Sequence, residues 1–180
     1  MADITLVVGG SVSGKSAYAE KIARESQNYH AKQVAYLATG VILDEEFALR
    51  VEEHKKRRPR EWKTVEEPLH LAEAVKSLSG EYQVVLIDGI GTWVTNFVME
   101  YHFRQDMADY FNKELQLLKE TLNDFPGWVI LVADEVGNGL IPETKESRIF
   151  RDLNGSSNQE LALLAHEVVQ VVCGIPVKIK

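Results

Sequence analysis

The sequence predicts an α/β protein in which a mostly parallel sheet is flanked by helices, with an antiparallel edge at the C-terminus. Nearly continuous apolar runs rich in β-branched residues alternate with amphipathic segments, as in a parallel sheet covered on both faces. Only about three residues join the last two apolar runs, too few for the crossover that parallel strands need. These two observations determine the predicted class.

The first half of the chain alternates strands with helices. The expected elements are a strand over Ile4–Val8, a helix over Lys15–Ser26, a strand over Gln33–Thr39, a helix over Asp44–Arg57, a short strand over Trp62–Glu66 and a helix over Pro68–Leu78. Asp44 is a candidate N-cap with acidic residues following it, and Pro68 occupies the first helical position, where proline is tolerated.

The second half continues the pattern and ends in a hairpin. The expected elements are strands over Tyr82–Asp88 and Trp128–Asp134, helices over Thr92–Tyr101, Met107–Leu122, Glu143–Leu153 and Ser157–Glu167, and strands over Val168–Val172 and Val177–Ile179 joined by a Gly174-Ile175-Pro176 turn. No repeat, low-complexity stretch or linker interrupts the series, so residues 1–180 are interpreted as a single domain.

Composition limits the classes of function. The formal net charge of −7 argues against a nonspecific nucleic-acid binder, which is usually basic. No signal peptide precedes the first strand, and no apolar run approaches the roughly 20 residues that span a bilayer. The single cysteine, Cys173, excludes an internal disulfide and suits a reducing compartment. We therefore expect a cytoplasmic protein that does not bind nucleic acid.

A phosphate-binding loop follows the first strand. The residues Gly9, Gly10, Ser11, Val12, Ser13, Gly14, Lys15 and Ser16 fit the pattern G-x-x-x-x-G-K-[ST]. Glycines let the backbone turn tightly so that its N–H groups face phosphate oxygens, and the next helix directs its positive end at the same anion. Lys15 is expected to reach the terminal phosphates, and Ser16 to ligate Mg²⁺. The motif predicts nucleoside triphosphate binding on a P-loop (RecA-like) sheet.

Acidic residues end two of the predicted strands. Asp88, at the end of one buried strand, is the best candidate for a second Mg²⁺ ligand beside Ser16. Asp134 and Glu135 end another strand, at the sheet edge where ligands bind in open α/β folds. They are equally suited to contacting a second substrate and to capping a helix.

His54 opens a basic run, His54-Lys55-Lys56-Arg57-Arg58-Pro59-Arg60. Its helical spacing from Phe47 and Val51 favours a histidine at the edge of the core beside a solvated basic face. The alternative is a nucleophilic imidazole among cations that stabilise charge on phosphorus. Position alone favours the first interpretation.

Several stretches together resemble a known family. They comprise the P-loop, Tyr36-x-Ala38-Thr39, Arg50-x-x-x-His54-Lys55-x-x-Arg58-Pro59-x-x-Trp62-x-Thr64-x-Glu66, Thr95-Asn96, Glu135-Val136-Gly137-x-Gly139-x-Ile141-Pro142, Arg148-x-Phe150-Arg151-Asp152-x-x-Gly155-x-x-Asn158-Gln159 and Gly174-Ile175-Pro176-Val177-Lys178. They resemble the bifunctional adenosylcobinamide kinase / adenosylcobinamide-phosphate guanylyltransferase family of cobalamin biosynthesis. The sequence departs from that pattern at Asp134, where asparagine is usual.

The resemblance implies two reactions. ATP or GTP phosphorylates adenosylcobinamide, and GTP then donates GMP to adenosylcobinamide phosphate through a GMP-histidine intermediate at His54, releasing pyrophosphate. It also implies nucleotide contacts from the P-loop and a homo-oligomer, expected as a trimer. The other implied nucleotide contacts are Ala38, Thr39, Lys55, Lys56, Arg57, Arg58, Glu66 and Asp88.

Other functions remain open from the sequence. A different small-metabolite P-loop kinase would transfer phosphoryl groups without a stable nucleotide adduct. A nucleotide-gated binding module would bind nucleotide tightly and turn over slowly. A nucleic-acid ATPase is supported only by the basic run and is opposed by the net charge.

Overall fold

A seven-stranded sheet forms the centre of the molecule. The computed structural model describes residues 3–30, 32–41 and 45–180. In chain order its elements are β1 (Asp3–Gly9), α1 (Lys15–His30), β2 (Val34–Ala38), α2 (Glu45–Arg57), β3 (Lys63–Glu66), α3 (Leu71–Leu78), β4 (Val84–Asp88), α4 (Ile90–Tyr101), α5 (Met107–Asp124), β5 (Trp128–Asp134), α6 (Lys145–Leu164), β6 (Glu167–Val172) and β7 (Ile175–Lys178).

The strands run in the order β3-β2-β4-β5-β1-β6-β7, and all neighbours are parallel except β6 and β7. The predicted fold class is confirmed. In the register of the sheet, Gly9 lies opposite Asp134, and Ala38 lies opposite Asp88. The carboxyl ends of β1, β2, β4 and β5 therefore meet at one edge.

Two apolar clusters cover the two faces of the sheet. The larger joins strand side chains to α3, α4, α5 and α6, and includes the buried aromatic residues Trp93, Phe97 and Phe111. The smaller packs α1 against the opposite face through Ala19 and Ala23. Because these alanines are small, α1 lies close to the sheet, and the P-loop that precedes it is fixed relative to β1.

One helix replaces the two that were predicted over Glu143–Leu153 and Ser157–Glu167. The polar residues between them suggested a loop, but α6 passes through them without a break. The side-chain amides of Asn154 and Asn158 donate to the carbonyl oxygen of Asp134 at 2.8 and 3.0 Å. The Ser157 hydroxyl donates to Leu153 O at 2.7 Å, so these donors have partners in β5 and α6, whereas the amide oxygens of Asn154 and Asn158 have none among the described residues.

Several predicted boundaries were also wrong: Glu167 begins β6 and does not end a helix, and α1 continues to His30 beyond Ser26. Helix α3 begins at Leu71, not at Pro68, because the Glu67 carboxylate accepts from the backbone N–H groups of Leu69 and His70 and closes a turn there. The final turn is Cys173–Gly174, with φ values of 52° and 77°, which suit a two-residue hairpin. The predicted cap at Asp44 lies outside the described residues.

None of the helices that the structure describes is both long enough and apolar enough for a membrane crossing.

Candidate active site

The P-loop is a compact turn held by its neighbours. Val12 and Gly14 have positive φ values of 56° and 96°, and Ser13 N donates to Gly10 O at 3.2 Å. Gly174 N, in the turn between β6 and β7, donates to Ser13 O at 2.8 Å. A Cβ at Gly14 would lie 3.2 Å from the Gly174 Cα, so glycine is required at this crossing by both space and backbone conformation.

Lys15 folds back over the loop that precedes it. Its Nζ donates to Gly10 O at 3.1 Å and lies 2.7 Å from Oδ1 of Asp134. Only 13% of the lysine side chain is exposed. Asp134, whose role the sequence left open, is thus an ion-pair partner of the P-loop lysine, and a Cβ on Gly91 would lie 2.6 Å from its other carboxylate oxygen.

Asp88 connects the P-loop to the basic helix. The Ser16 hydroxyl donates to Oδ1 of Asp88 at 3.2 Å, and the Tyr36 hydroxyl donates to Oδ2. Nδ1 of His54 lies 3.7 Å from the same Oδ2. Burial alone would raise the pKa of Asp88, but the contacts from His54, Tyr36 and Ser16 outweigh it and hold that pKa below its ordinary value.

Tyr36 supports this arrangement from the buried face of β2. Its ring is fully buried, lies 6.5 Å from the Trp62 ring in a stacked arrangement, and has the Arg58 guanidinium 3.5 Å above its centroid. Burial and the neighbouring Asp88 raise the pKa of Tyr36 well above its ordinary value. The tyrosine therefore acts as a permanent hydrogen-bond donor to Asp88.

The C-terminal turn of α2 brings a cluster of cations to the same place. His54, Lys55, Lys56 and Arg57 form this turn, and Arg58 follows it directly. Lys55 pairs with Glu66 at 3.1 Å, and Arg57 lies 3.8 Å from Glu20. Two nitrogens of Arg58, Nε and Nη1, are buried without a hydrogen-bond partner among the described residues. An oxyanion in the space in front of Arg58 would satisfy them.

These groups surround one cavity of about 780 Å³, which we call the P-loop cavity. Its lining includes residues 11–17 of the loop and the start of α1, residues 54–57 of α2 with the following Arg58, and Tyr36, Ala38, Glu66, Asp88 and Asp134. The volume lies within the range of small-molecule sites, about 300–1,000 Å³. A nucleotide whose phosphates contact the P-loop would also face His54.

Comparison with known proteins identifies the family of the chain. The model of the family described as cobinamide kinase / cobinamide phosphate guanyltransferase matches residues 5–179. The chain belongs to this family. Members are kinases and nucleotidyltransferases, so the chain is a transferase of cobalamin biosynthesis.

Curated relatives match over nearly the full length. The bifunctional adenosylcobalamin biosynthesis protein CobU of Escherichia coli is 42% identical over 183 residues, covering 97% of this chain and 98% of that protein. CobU of Salmonella typhimurium is 39% identical with the same coverage. CobP of Pseudomonas aeruginosa is 36% identical over 175 residues, covering 97% of this chain and 96% of that protein.

Solved structures support the fold alone. The flagellar accessory protein FlaH of Methanocaldococcus jannaschii gives a TM-score of 0.53 at 10% identity, covering 93% of this chain and 70% of that chain. A KaiC-like protein of Pyrococcus horikoshii gives a TM-score of 0.51 at 12% identity, with the same coverage.

Most residues predicted for this transferase's nucleotide site line the P-loop cavity. They are Ser11, Val12, Ser13, Gly14, Lys15, Ser16, Ala38, His54, Lys55, Lys56, Arg57, Arg58, Glu66 and Asp88. Gly9, Gly10 and Thr39 do not belong to the described lining. Thr39 is fully buried, and its hydroxyl donates to Gly89 O at 2.8 Å and accepts from Gly89 N at 3.0 Å. A nucleotide contact by Thr39 stays a prediction, and the geometry shows it bracing the segment after Asp88.

Sequence reasoning gave no role to Tyr36, which lines the cavity, or to Glu20, which lies beside His54 and Asp88. Tyr36 lies within a stretch that carried the family resemblance, but only the fold shows its hydroxyl meeting Asp88. Glu20 lies on α1 between the buried Ala19 and Ala23, and is itself only 4% exposed. The sequence pattern could have singled out Glu20, because it is a carboxylate on a helix face otherwise lined by small apolar residues.

Proposed function

We propose that the chain phosphorylates adenosylcobinamide with ATP or GTP, then transfers GMP from GTP to adenosylcobinamide phosphate through GMP bound to His54. One observation carries the proposal. His54 and the P-loop face one cavity, and Asp88 contacts both, through Oδ1 to Ser16 and Oδ2 towards His54. Triphosphate and nucleophile can therefore meet without a second binding site.

The first reaction uses the P-loop. Backbone N–H groups of the loop and Lys15 hold the terminal phosphates, for which Lys15 exchanges its present contact with Asp134. The adenosylcobinamide hydroxyl attacks the γ-phosphorus, and the nucleoside diphosphate leaves. The main requirement on the protein is to position charged groups, since phosphoryl transfer needs little covalent chemistry from side chains.

The second reaction uses His54. A ring nitrogen attacks the α-phosphorus of GTP, the bond from phosphorus to the bridging oxygen breaks, and pyrophosphate leaves. An oxygen of adenosylcobinamide phosphate then attacks the same phosphorus. The electron pair of the P–N bond returns to the ring, which regenerates free imidazole. Arg57 and Arg58 line the cavity and are suited to hold phosphate groups during both transfers.

Mg²⁺ fits the oxygen ligands of the site. The Ser16 hydroxyl and the Asp88 carboxylate lie 3.2 Å apart at the end of the P-loop, and both are ligand types that Mg²⁺ prefers. Bound there with the triphosphate, Mg²⁺ would neutralise charge on the leaving phosphates. Ser16 and Asp88 are the residues proposed to hold it.

Three further assignments accompany the proposal. Residues 1–180 act as one nucleotide-binding domain, the protein works in the cytoplasm, and it forms a homo-oligomer with a trimer as the expected form. Light scattering coupled to size exclusion tests the last of these, and a monomer at working concentration would contradict it.

The test is covalent labelling. GTP labelled at the α-phosphate is incubated with the protein and Mg²⁺, and the protein is denatured. We expect label that is acid-labile and base-stable in the wild type and absent in His54→Asn, which keeps its phosphorylation activity. His102→Asn, at an exposed histidine on the C-cap of α4, is the matched control and should label normally.

Absence of label in a wild-type protein that still binds GTP would overturn the guanylyltransferase mechanism. A simple P-loop kinase would then be preferred if adenosylcobinamide or another metabolite is phosphorylated. Tight nucleotide binding without turnover would favour the nucleotide-gated module.

A further inference from the structure

A buried carboxylate faces the nucleophile from α1. Glu20 is 4% exposed, and its Oε1 has no hydrogen-bond partner among the described residues. One oxygen of Glu20, one ring nitrogen of His54 and one oxygen of Asp88 all lie within 4.8 Å of one another. Nη2 of Arg57 lies 3.8 Å from Oε1 of Glu20.

A buried carboxylate with an oxygen that lacks a hydrogen-bond donor lowers the stability of the fold. Burial is the main reason that the pKa of Glu20 is raised, an effect that the nearby Arg57 opposes. The same helix face carries the buried residues Ala19 and Ala23. Glu20 thus places a carboxylate from an otherwise small, apolar helix face beside the ring of His54 and the carboxylate of Asp88.

The neighbouring ring is the group that changes charge in the proposed reaction. Nδ1 of His54 faces Oδ2 of Asp88, which leaves Nε2 as the nitrogen that attacks phosphorus. When Nε2 bonds to the α-phosphorus, Nδ1 keeps its proton and the ring becomes an imidazolium. Carboxylates a few ångströms away stabilise that positive charge, because the site is partly shielded from water.

A divalent cation held between Glu20 and His54 suits this cluster less well than Mg²⁺ beside Ser16 and Asp88. Arg57 and Arg58 both lie close enough to stabilise the Glu20 carboxylate electrostatically. These fixed positive charges repel a dication.

We propose that Glu20 is a positioning residue for guanylylation, whose charge orients the His54 ring and stabilises its GMP-imidazolium form. The inference rests on the proposed function. Its specific consequence is that Glu20 affects the equilibrium between GTP and the GMP-histidine intermediate. Phosphorylation, in which His54 forms no bond to phosphorus, does not need it.

The experiment compares Glu20→Gln with the wild type in two assays. The first measures the equilibrium between labelled protein plus pyrophosphate and GTP, and the second measures adenosylcobinamide phosphorylation. For Glu20→Gln we expect the labelling equilibrium to shift about tenfold or more towards GTP, since one charge is lost at short range. The ratio of guanylylation to phosphorylation falls by a similar factor.

Two further variants make the result specific. Glu20→Asp keeps the charge and should recover part of the ratio, whereas a ratio as low as that of Glu20→Gln would overturn the charge-based role. Glu25→Gln, at an exposed carboxylate on the same helix, is the matched control and should behave as wild type. Thermal melting checks that each variant is folded.

The possible outcomes distinguish the role of Glu20 from the proposed guanylyltransferase function. Labelling of the wild type with an unchanged equilibrium in Glu20→Gln would refute the role of Glu20 and leave the guanylyltransferase mechanism in place. Failure of the wild type to label would refute both. Equal losses of the two activities in Glu20→Gln would show a structural role only.

Discussion

The Tyr36 hydroxyl offers a sharp test of how Asp88 is held between the two halves of the site. Tyr36→Phe removes one donor from Oδ2 of Asp88 and leaves the ring in place under Arg58 and beside Trp62. The substitution therefore removes a single hydrogen bond with little change in packing. Because Asp88 faces both Ser16 and His54, we expect Tyr36→Phe to slow both the phosphorylation and the guanylylation reaction.

The magnitude follows from the contacts that remain. A hydrogen bond to a charged group contributes about 1.5–3 kcal/mol. Asp88 keeps the Ser16 hydroxyl and the neighbouring His54, so we expect a value near the lower end, about 1.5 kcal/mol. For a chain of this size that corresponds to a fall in Tm of about 3–6 °C. An equal loss of transition-state stabilisation lowers each rate about tenfold.

The assay measures Tm in the absence of nucleotide and kcat/KM for each of the two reactions. Tyr82→Phe is the control, because Tyr82 precedes β4 at the end away from the P-loop cavity, and we expect its rates to be unchanged. If Tyr36→Phe left Tm and both rates at wild-type values, Asp88 would not depend on this donor. A loss confined to one reaction would contradict the shared role of Asp88.

Three further substitutions test the stability of the fold: two add a methyl group at a glycine, and the third removes a buried charge. Gly155→Ala should stabilise the protein by about 0.5–1 kcal/mol in urea unfolding, because a Cβ there meets open space inside a helix; destabilisation would contradict a continuous α6. Gly91→Ala should have the opposite sign, about 1 kcal/mol or more, because its Cβ overlaps Asp134; an unchanged midpoint would mean that Asp134 moves freely. Glu20→Gln should raise Tm at neutral pH. The pKa of Glu20 is raised in the folded state, so the wild type loses stability as the pH rises through that pKa and the carboxylate becomes charged. The Tm advantage of Glu20→Gln should therefore vanish in acid. A Tm advantage that does not depend on pH would contradict a buried carboxylate.

The sequence predicted the features whose causes are local. The P-loop is a fixed pattern of glycines, a lysine and a serine between a strand and a helix, and its position was correct from the motif alone. Asp88 followed from its place at the end of an apolar strand, since parallel strands end at a common edge. The antiparallel edge followed from a connection too short for a crossover.

Features that depend on tertiary contacts were missed. The continuous α6 looked like two helices because Asn154, Gly155 and Ser156 resemble loop residues, and only the fold shows the buried partner of the Asn154 amide. Glu20 and Tyr36 lie on elements assigned correctly, but no spacing rule shows that both approach the end of β4. The role of His54 came from family resemblance, since its position favoured a histidine at the edge of the core.

The central claim is that the P-loop and His54 act on one triphosphate in one cavity. Labelling Lys15→Ala with α-labelled GTP tests it most directly, with Lys113→Ala, at an exposed lysine of α5, as the control. The account predicts that Lys15→Ala loses both phosphorylation and label on His54, while Lys113→Ala keeps both. Normal labelling of His54 in Lys15→Ala would show that the guanylyl donor binds elsewhere and would contradict the account.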